Sequence, residues 1–183
     1  MSARDYLNFE RQSEFRHEFY KGEIFQVSGA SREHNLLVTN LVTSANSQFR
    51  GKSCETYSND MRVHIPATGF FTYPDVVMVC GEPKFLDDEF DTLLNPSVII
   101  EVLLPTTAGF DRGRKFRHYQ SIESLGEYLL IAQDEMNVEH LIKQESAGRW
   151  HIAEYNAPET GIELPSVGIA LKLDEIYERV LKS

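Results

Sequence analysis

Glu101 stands inside PSVIIEVLLP, a run whose other residues read as a strand buried on both faces. A lone ionised carboxylate in such a place costs several kcal/mol, so something cationic must face it. Asp75 raises the same question in TYPDVVMVC, where it precedes Val, Val, Met and Val and follows Pro74, which removes a backbone donor at the start of the strand. Two adjacent strands would then each present one carboxylate. That is the arrangement a hard divalent cation takes: Mg²⁺ is usually held by one or two carboxylates, with waters and phosphate oxygens completing its octahedron.

A cation follows in DRGRKFRHY. On a helix beginning near Asp111, Lys115 shares a side with Asp111, His118 and Tyr119. The helix comes directly after the Glu101 strand, so its first turns can lie beside that strand's end. Lys115 would there neutralise Glu101, or contact a phosphoryl oxygen while orienting an attacking water. Each residue also has a plainer reading: Asp75 as a turn residue after proline, Glu101 as half of a structural salt bridge, Lys115 as a solvated helix lysine. Carboxylate, carboxylate and lysine in this order form a constellation that recurs in nucleases.

The elements that must position these groups follow from periodicity. Ser2 to Glu10 reads as a short helix and FRHEFYKGEIFQVSG as a hairpin turning at Lys21 and Gly22. Ser31 is a fitting N-cap for a helix to about Phe49, because Val38, Leu41, Val42, Ala45 and Phe49 recur at helical spacing. Strands are predicted over Cys54 to Ile65, Thr72 to Cys80 and Ser97 to Leu104. The acidic stretch from Gly81 to Pro96 reads as a surface excursion with solvated carboxylates. A second helix from Asp111 to about Ser121, a strand EYLLIA and a hairpin turning at Ser146 to Gly148 come next. Leu173, Ile176, Tyr177 and Val180 then form one helical stripe. This order predicts a mixed α/β fold with a mixed sheet, as one domain over 1–183. Its parts would be an N-terminal helix and hairpin (1–30), a core (31–132) and a C-terminal hairpin and helix (133–183).

The chain carries 18 basic and 28 acidic residues, a net charge of −10 and a pI near 5.1. Affinity for phosphates comes mainly from Lys and Arg, so this balance counts against a nucleic-acid partner unless cations cluster locally. Cys54 and Cys80 lie in no CxxC pair and near no His at ligand spacing, which excludes zinc and redox motifs. They read as two small apolar residues in a reducing cytoplasm. With no signal-like stretch and no apolar run of membrane length, a cytoplasmic protein without membrane association is expected. Phosphate loops, GxSxG elbows and HExxH are absent. Phe15, Phe19, Tyr20 and Phe25 read as hairpin core rather than as base-stacking platforms.

The segments RHEFYKGEI, GASREHN, SNDMRV, YPDVVMVC, NPSVIIEVLLPTT, DRGRKFRHYQSI and EYLLI resemble the Uma-two family, a branch of the PD-(D/E)xK nuclease superfamily, over nearly the whole chain. The resemblance implies a restriction-endonuclease-like core and a metal-dependent endonuclease acting on DNA. Pro74-Asp75 would supply the "PD" half of the signature and Glu101 the second acid. Asp75, Glu101 and the carbonyl of Val102 would bind Mg²⁺ or Mn²⁺. The superfamily's lysine two residues after the acid is replaced by Leu103, and the following helix would supply it as Lys115. Leu104 stands where relatives of this type commonly carry Ser. The expected DNA footprint is Arg112, Arg114, Lys115 and Arg117, doubled across a groove by a homodimer. Leu103, Leu104 and the acidity keep open a catalytically silent interaction module, and the same residues would also serve a metal-dependent hydrolase of RNA or another phosphate ester. Glu18 reads as a paired surface carboxylate, His34 as a satisfied core or helix-start histidine, and Asp60 as a local partner of Arg62.

Overall fold

Two long apolar runs each break where the chain must leave one sheet for another. The computed structural model describes residues 1–104, 108–144 and 148–181. Ser2 caps α1 (Ala3–Glu10) through a capping box with Asp5. Lys21 and Gly22, both at positive φ, make the tight turn between β1 (His17–Tyr20) and β2 (Glu23–Gln26). Ser31 caps α2 (Arg32–Phe49), its hydroxyl accepting from the His34 N–H. The run expected as one strand from Cys54 to Ile65 then divides into β3 (Cys54–Ser58) and β4 (Arg62–Ile65). The run ending at Cys80 divides likewise into β5 (Phe70–Thr72) and β6 (Val76–Cys80), around Tyr73-Pro74-Asp75.

β4 and β5 join a five-stranded sheet, β2-β1-β5-β4-β7, with β7 at Thr92–Leu93. β3 and β6 join a six-stranded sheet with β8 (Val98–Leu103), β9 (Glu127–Ala132), β10 (Val138–Lys143) and β11 (Trp150–Tyr155), in the order β11-β10-β9-β8-β6-β3. The expected core order of helix, three strands, helix and strand is therefore present as α2, β3, β6, β8, the helix over 108–119 and β9. β8 and β9 are parallel, which requires a crossover, and that helix supplies it. A ribbon of β12 (Gly161–Leu164) and β13 (Ile169–Lys172) and a short helix, Leu173–Ile176, complete the fold. The turn expected at Ser146 to Gly148 falls mainly outside the described residues.

The large sheet is covered on both faces, which is why its strands read as near-continuous apolar runs. Val76, Met78, Val98, Ile100 and Val102 meet Leu37, Leu41 and Ala45 of α2, together with Leu173, Ile176, Tyr177 and Val180. Val77, Val79, Ile99 and Leu103 face the other way, toward Tyr119, Ile122 and Leu125 after the crossover helix and toward Val63, Ile65 and Phe70 of the smaller sheet.

Three expectations are corrected. Cys54 and Cys80 are not separate apolar residues but form a disulfide. They are directly opposed in β3 and β6, next to the hydrogen-bonded rung from Gly81 N–H to Ser53 O, a position where facing Cα atoms come closest. The 81–96 carboxylates are not simply solvated, because Asp87 and Asp91 hold Arg11 at 2.7 and 2.8 Å. Asp60 pairs with Arg16 at 3.3 Å rather than with Arg62. Arg62 is buried; its Nε donates to Thr92 Oγ1 and its Nη1 to the Tyr73 hydroxyl, both at 2.9 Å, and Nη2 forms an ion pair with Asp91 at 2.8 Å. The Tyr73 hydroxyl passes the chain of contacts on to Glu10 of α1.

Removing the cation from this network leaves buried acceptors unanswered. Arg62→Ala should lower the free energy of unfolding by about 3 kcal/mol or more, read as a fall in the urea midpoint. A change within about 0.5 kcal/mol, the range of a surface substitution, would show that the network contributes nothing.

Candidate active site

The antiparallel register of β6 and β8 sets Val76 opposite Ile100 and Val77 opposite Ile99. Continued one step beyond the paired residues, this register would set Asp75, just outside β6, opposite Glu101, which shares its face of β8 with Ile99 and Leu103. Like charges directly opposed across a sheet repel, so this pair needs compensation. The next rung would pair Val102 with Pro74, which has no N–H to give. Asp75 Oδ2 takes the Val102 N–H at 2.7 Å instead. The Val102 carbonyl projects from the same side of the strand as its N–H, and Pro74 offers it no donor.

Glu101 is only 4% exposed. Its Oε1 accepts from Lys115 Nζ at 2.8 Å and from the Tyr119 hydroxyl at 2.7 Å. Both partners come from the crossover helix, which runs as an α turn (Ala108–Phe110), a π segment (Asp111–Lys115) and a second α turn (Phe116–Tyr119). Glu18 of β1 lies 3.3 Å from Lys115 Nζ and accepts from Thr72, and Asp111 lies 3.9 Å from the same ammonium. Burial alone would lower the Lys115 pKa, but Glu101, Glu18 and Asp111 hold it well above the ordinary lysine value. The Glu101 value is raised as well, which for a carboxyl disfavours the charged form: burial raises it most, Lys115 pulls it back and Asp75 and Asp111 push it further, to about 8 in all. One ammonium thus answers more carboxylates than it can neutralise.

These groups line a cavity of about 160 Å³, with His34 and Arg16 among its walls. His34 Nε2 sits 2.9 Å from Asp75 Oδ1 and fixes that carboxylate from the first turn of α2. The oxygens of Asp75 and Glu101 and the Val102 carbonyl are hard donors of the kind Mg²⁺ and Mn²⁺ take. Among the described residues, no three His, Cys, Asp or Glu side chains form a chelating group by themselves. An ion here would keep several waters, as Mg²⁺ does.

Asp75, Glu101, Val102 and Lys115 are therefore brought together. So are two residues set aside in the sequence: Glu18, which faces Lys115 rather than solvent, and His34, whose partner is Asp75. Tyr119 was placed on the side of Lys115 by helical spacing, but its bond to Glu101 had no sequence signal beyond that. Arg16 had none. His118 leaves the expected side and packs edge-on against Tyr20 and tilted against Phe70, at 4.8 and 4.7 Å between ring centroids. The expected basic footprint is reduced: Lys115 is buried among carboxylates, and Arg112 is held by Glu139 at 2.6 Å. Arg114 and Arg117 remain exposed. Hairpin core holds for Phe19 but not for Phe15 and Phe25, which are exposed.

The raised Glu101 value has a thermodynamic consequence. Between the ordinary value of 4.5 and about 8, the folded state keeps a proton that the unfolded chain releases, so stability falls as pH rises through that window. In chelator, urea midpoints of the wild type should drop from about pH 5 to about pH 8, and those of Glu101→Gln should drop less. Equal slopes would show that another group is responsible.

The family model of Uma2, described as "putative restriction endonuclease", matches residues 3–174. An uncharacterized protein of Synechocystis sp. is 38% identical over 163 residues, covering 89% of this chain and 92% of its own length. A second from the same organism is 32% identical over 177 residues, covering 97% and 91%. The crystal structure of a "putative nuclease belonging to DUF820" from Anabaena variabilis superposes with a TM-score of 0.78 over 99% of both chains, at 17% identity, and so shares the fold. Among the described residues no helix is long and apolar enough to cross a membrane. A match over nearly the whole length, on a chain whose corner and crossover helix gather these carboxylates and one lysine, makes this protein a member of the Uma2 family.

Proposed function

We propose that the protein is a metal-dependent endonuclease hydrolysing DNA phosphodiester bonds, with Asp75, Glu101 and Lys115 as its catalytic residues. The observation that carries this reading is one cavity lined by Asp75, Glu101 and Lys115, with Asp75 Oδ2 on the Val102 N–H at 2.7 Å and Lys115 Nζ 2.8 Å from Glu101. Asp75, Glu101 and the Val102 carbonyl would hold Mg²⁺ or Mn²⁺. When bound, such an ion polarises a phosphoryl oxygen and lowers the pKa of a water.

The chain's own residues do the rest. Pro74 frees the Val102 carbonyl, and His34 keeps the Asp75 carboxylate turned to the cavity wall it shares with Glu101. Tyr119 and Lys115 bind one oxygen of Glu101 and so orient the other. Lys115 is charged and pinned by the side chains of Glu101, Glu18 and Asp111, so its ammonium is placed in advance to donate to a phosphoryl oxygen or to hold the attacking water. The leucine at 103 is buried beside Glu101 on the same face, and Lys115 reaches this spot from the helix instead. A homodimer would present one such site to each strand of a duplex.

The test is nicking of supercoiled plasmid at low salt with Mg²⁺ or Mn²⁺. Wild type should convert the plasmid, and Lys115→Ala should be slower by about 10²-fold or more. Glu101→Ala, purified identically, should be inactive. Full activity in Glu101→Ala would sink the site assignment, and no cleavage by folded wild type would favour the silent module.

A further inference from the structure

Beside the carboxylate cavity lies a larger groove of about 830 Å³. The β1–β2 hairpin lines it with Tyr20, Lys21 and Phe25, and the crossover helix lines it with Phe110, Arg114 and Arg117. Glu18 and Phe110 line both spaces, so the groove opens onto the candidate site.

Its composition is unusual for this molecule in two respects. Phe25 is 50% exposed and Phe110 38% exposed, so two phenyl groups from different elements stand in solvent within one groove. Tyr20 and Phe70, also in the lining, are already occupied by the His118 ring and form a packed floor. The second respect is charge. Lys21, Arg114 and Arg117 are exposed and, among the described residues, have no ion-pair partner. Of the two acids in the lining, Glu18 is engaged by Lys115 and Thr72, leaving Glu23 alone to oppose three cations. In a protein of net charge −10, this groove is locally positive.

Exposed phenyl faces next to cations match a ligand that offers flat apolar faces along a phosphodiester backbone. Duplex DNA does not: its base faces are stacked away, and its surface offers phosphates and polar base edges. An unpaired strand offers both features, and bases stack on aromatic side chains with little regard to sequence. We propose that this groove binds an unpaired DNA strand, stacking bases on Phe25 and Phe110 while Lys21, Arg114 and Arg117 hold its phosphates, and so delivers single-stranded DNA to the carboxylate site. The proposal rests on the nuclease reading for its consequence, but its binding step does not.

The binding step is tested in chelator, where nothing is cut, by fluorescence anisotropy. The probes are a labelled strand of about 15 nucleotides and the same strand annealed as a blunt duplex. The single strand should bind about tenfold more tightly or better. Phe25→Ala should weaken single-strand binding about fivefold or more and leave duplex binding unchanged. Phe25→Trp should retain binding and Phe25→Leu should lose it, separating stacking from mere apolar contact. Equal affinity for the two probes, or equal loss on both with Phe25→Ala, would overturn the proposal. The two readings fail separately: single-strand binding with no plasmid cleavage removes the nuclease and keeps the groove, whereas duplex cleavage with no single-strand preference does the reverse.

Discussion

Glu101 occupies a strand position whose neighbours on the same face are Ile99 and Leu103, with Tyr128 on the adjacent β9 and a covering layer that includes Tyr119 and Leu125. An unanswered charge there would cost several kcal/mol, more than one apolar side chain of the run contributes by burial. Lys115 and Tyr119 offset that cost. Both come from the helix that must cross this face in any case, because β8 and β9 run parallel. The π segment serves the same constraint. Four-residue steps along an α-helix drift by about 40°, and the wider turn over Asp111–Lys115 drifts the other way. Asp111, Lys115 and Tyr119 therefore stay turned toward one carboxylate.

Asp75 depends on a different device, the corner at which the chain changes sheets. Had the Thr72 to Cys80 run continued straight, residue 74 would have paired with Val102 and closed the ladder. Proline prevents that rung, and the turn it initiates lets a side-chain oxygen take the Val102 N–H. The neighbouring corner is tied in by the Asn59 N–H, which donates to the Asp75 carbonyl at 3.1 Å. On the other side, the first turn of the 18-residue α2 brings His34 and the positive end of a helix dipole to the carboxylate. The site thus sits where three independent backbone events coincide: a sheet switch, a helix start and a crossover.

What could be read from the sequence follows from this division. A carboxylate in an apolar run announces itself, and the helix after it supplies its partner at helical spacing, so Glu101 and Lys115 were legible. The core order was legible too, since burial on both faces leaves near-continuous apolar runs in the sequence. Local patterns do not report what two sheets share, so the splitting of both long runs was invisible, as was the opposition of Cys54 and Cys80, which depends on register. Charge was misread for the same reason. Asp87, Asp91 and Arg62 look solvated one at a time, and only the closing of the 81–96 segment against α1 and β4 makes them a network. His34 shows the limit of reading residues singly: expected as a satisfied helix-start histidine, it meets Asp75 through Nε2, while its buried Nδ1 has no hydrogen-bond partner among the described residues.

Net charge describes the whole surface, whereas a bound strand is governed by charges within a Debye length, about 8 Å at physiological ionic strength. Several acids of this chain are already matched outside the groove lining: Asp87 and Asp91 by arginines and Glu139 by Arg112. The unmatched cations Arg114, Arg117 and Lys21 lie on the two elements that flank the carboxylates. The groove is therefore positive within that distance although the molecule as a whole is acidic. The net charge of −10 therefore does not by itself oppose the proposed binding of an unpaired strand in this groove.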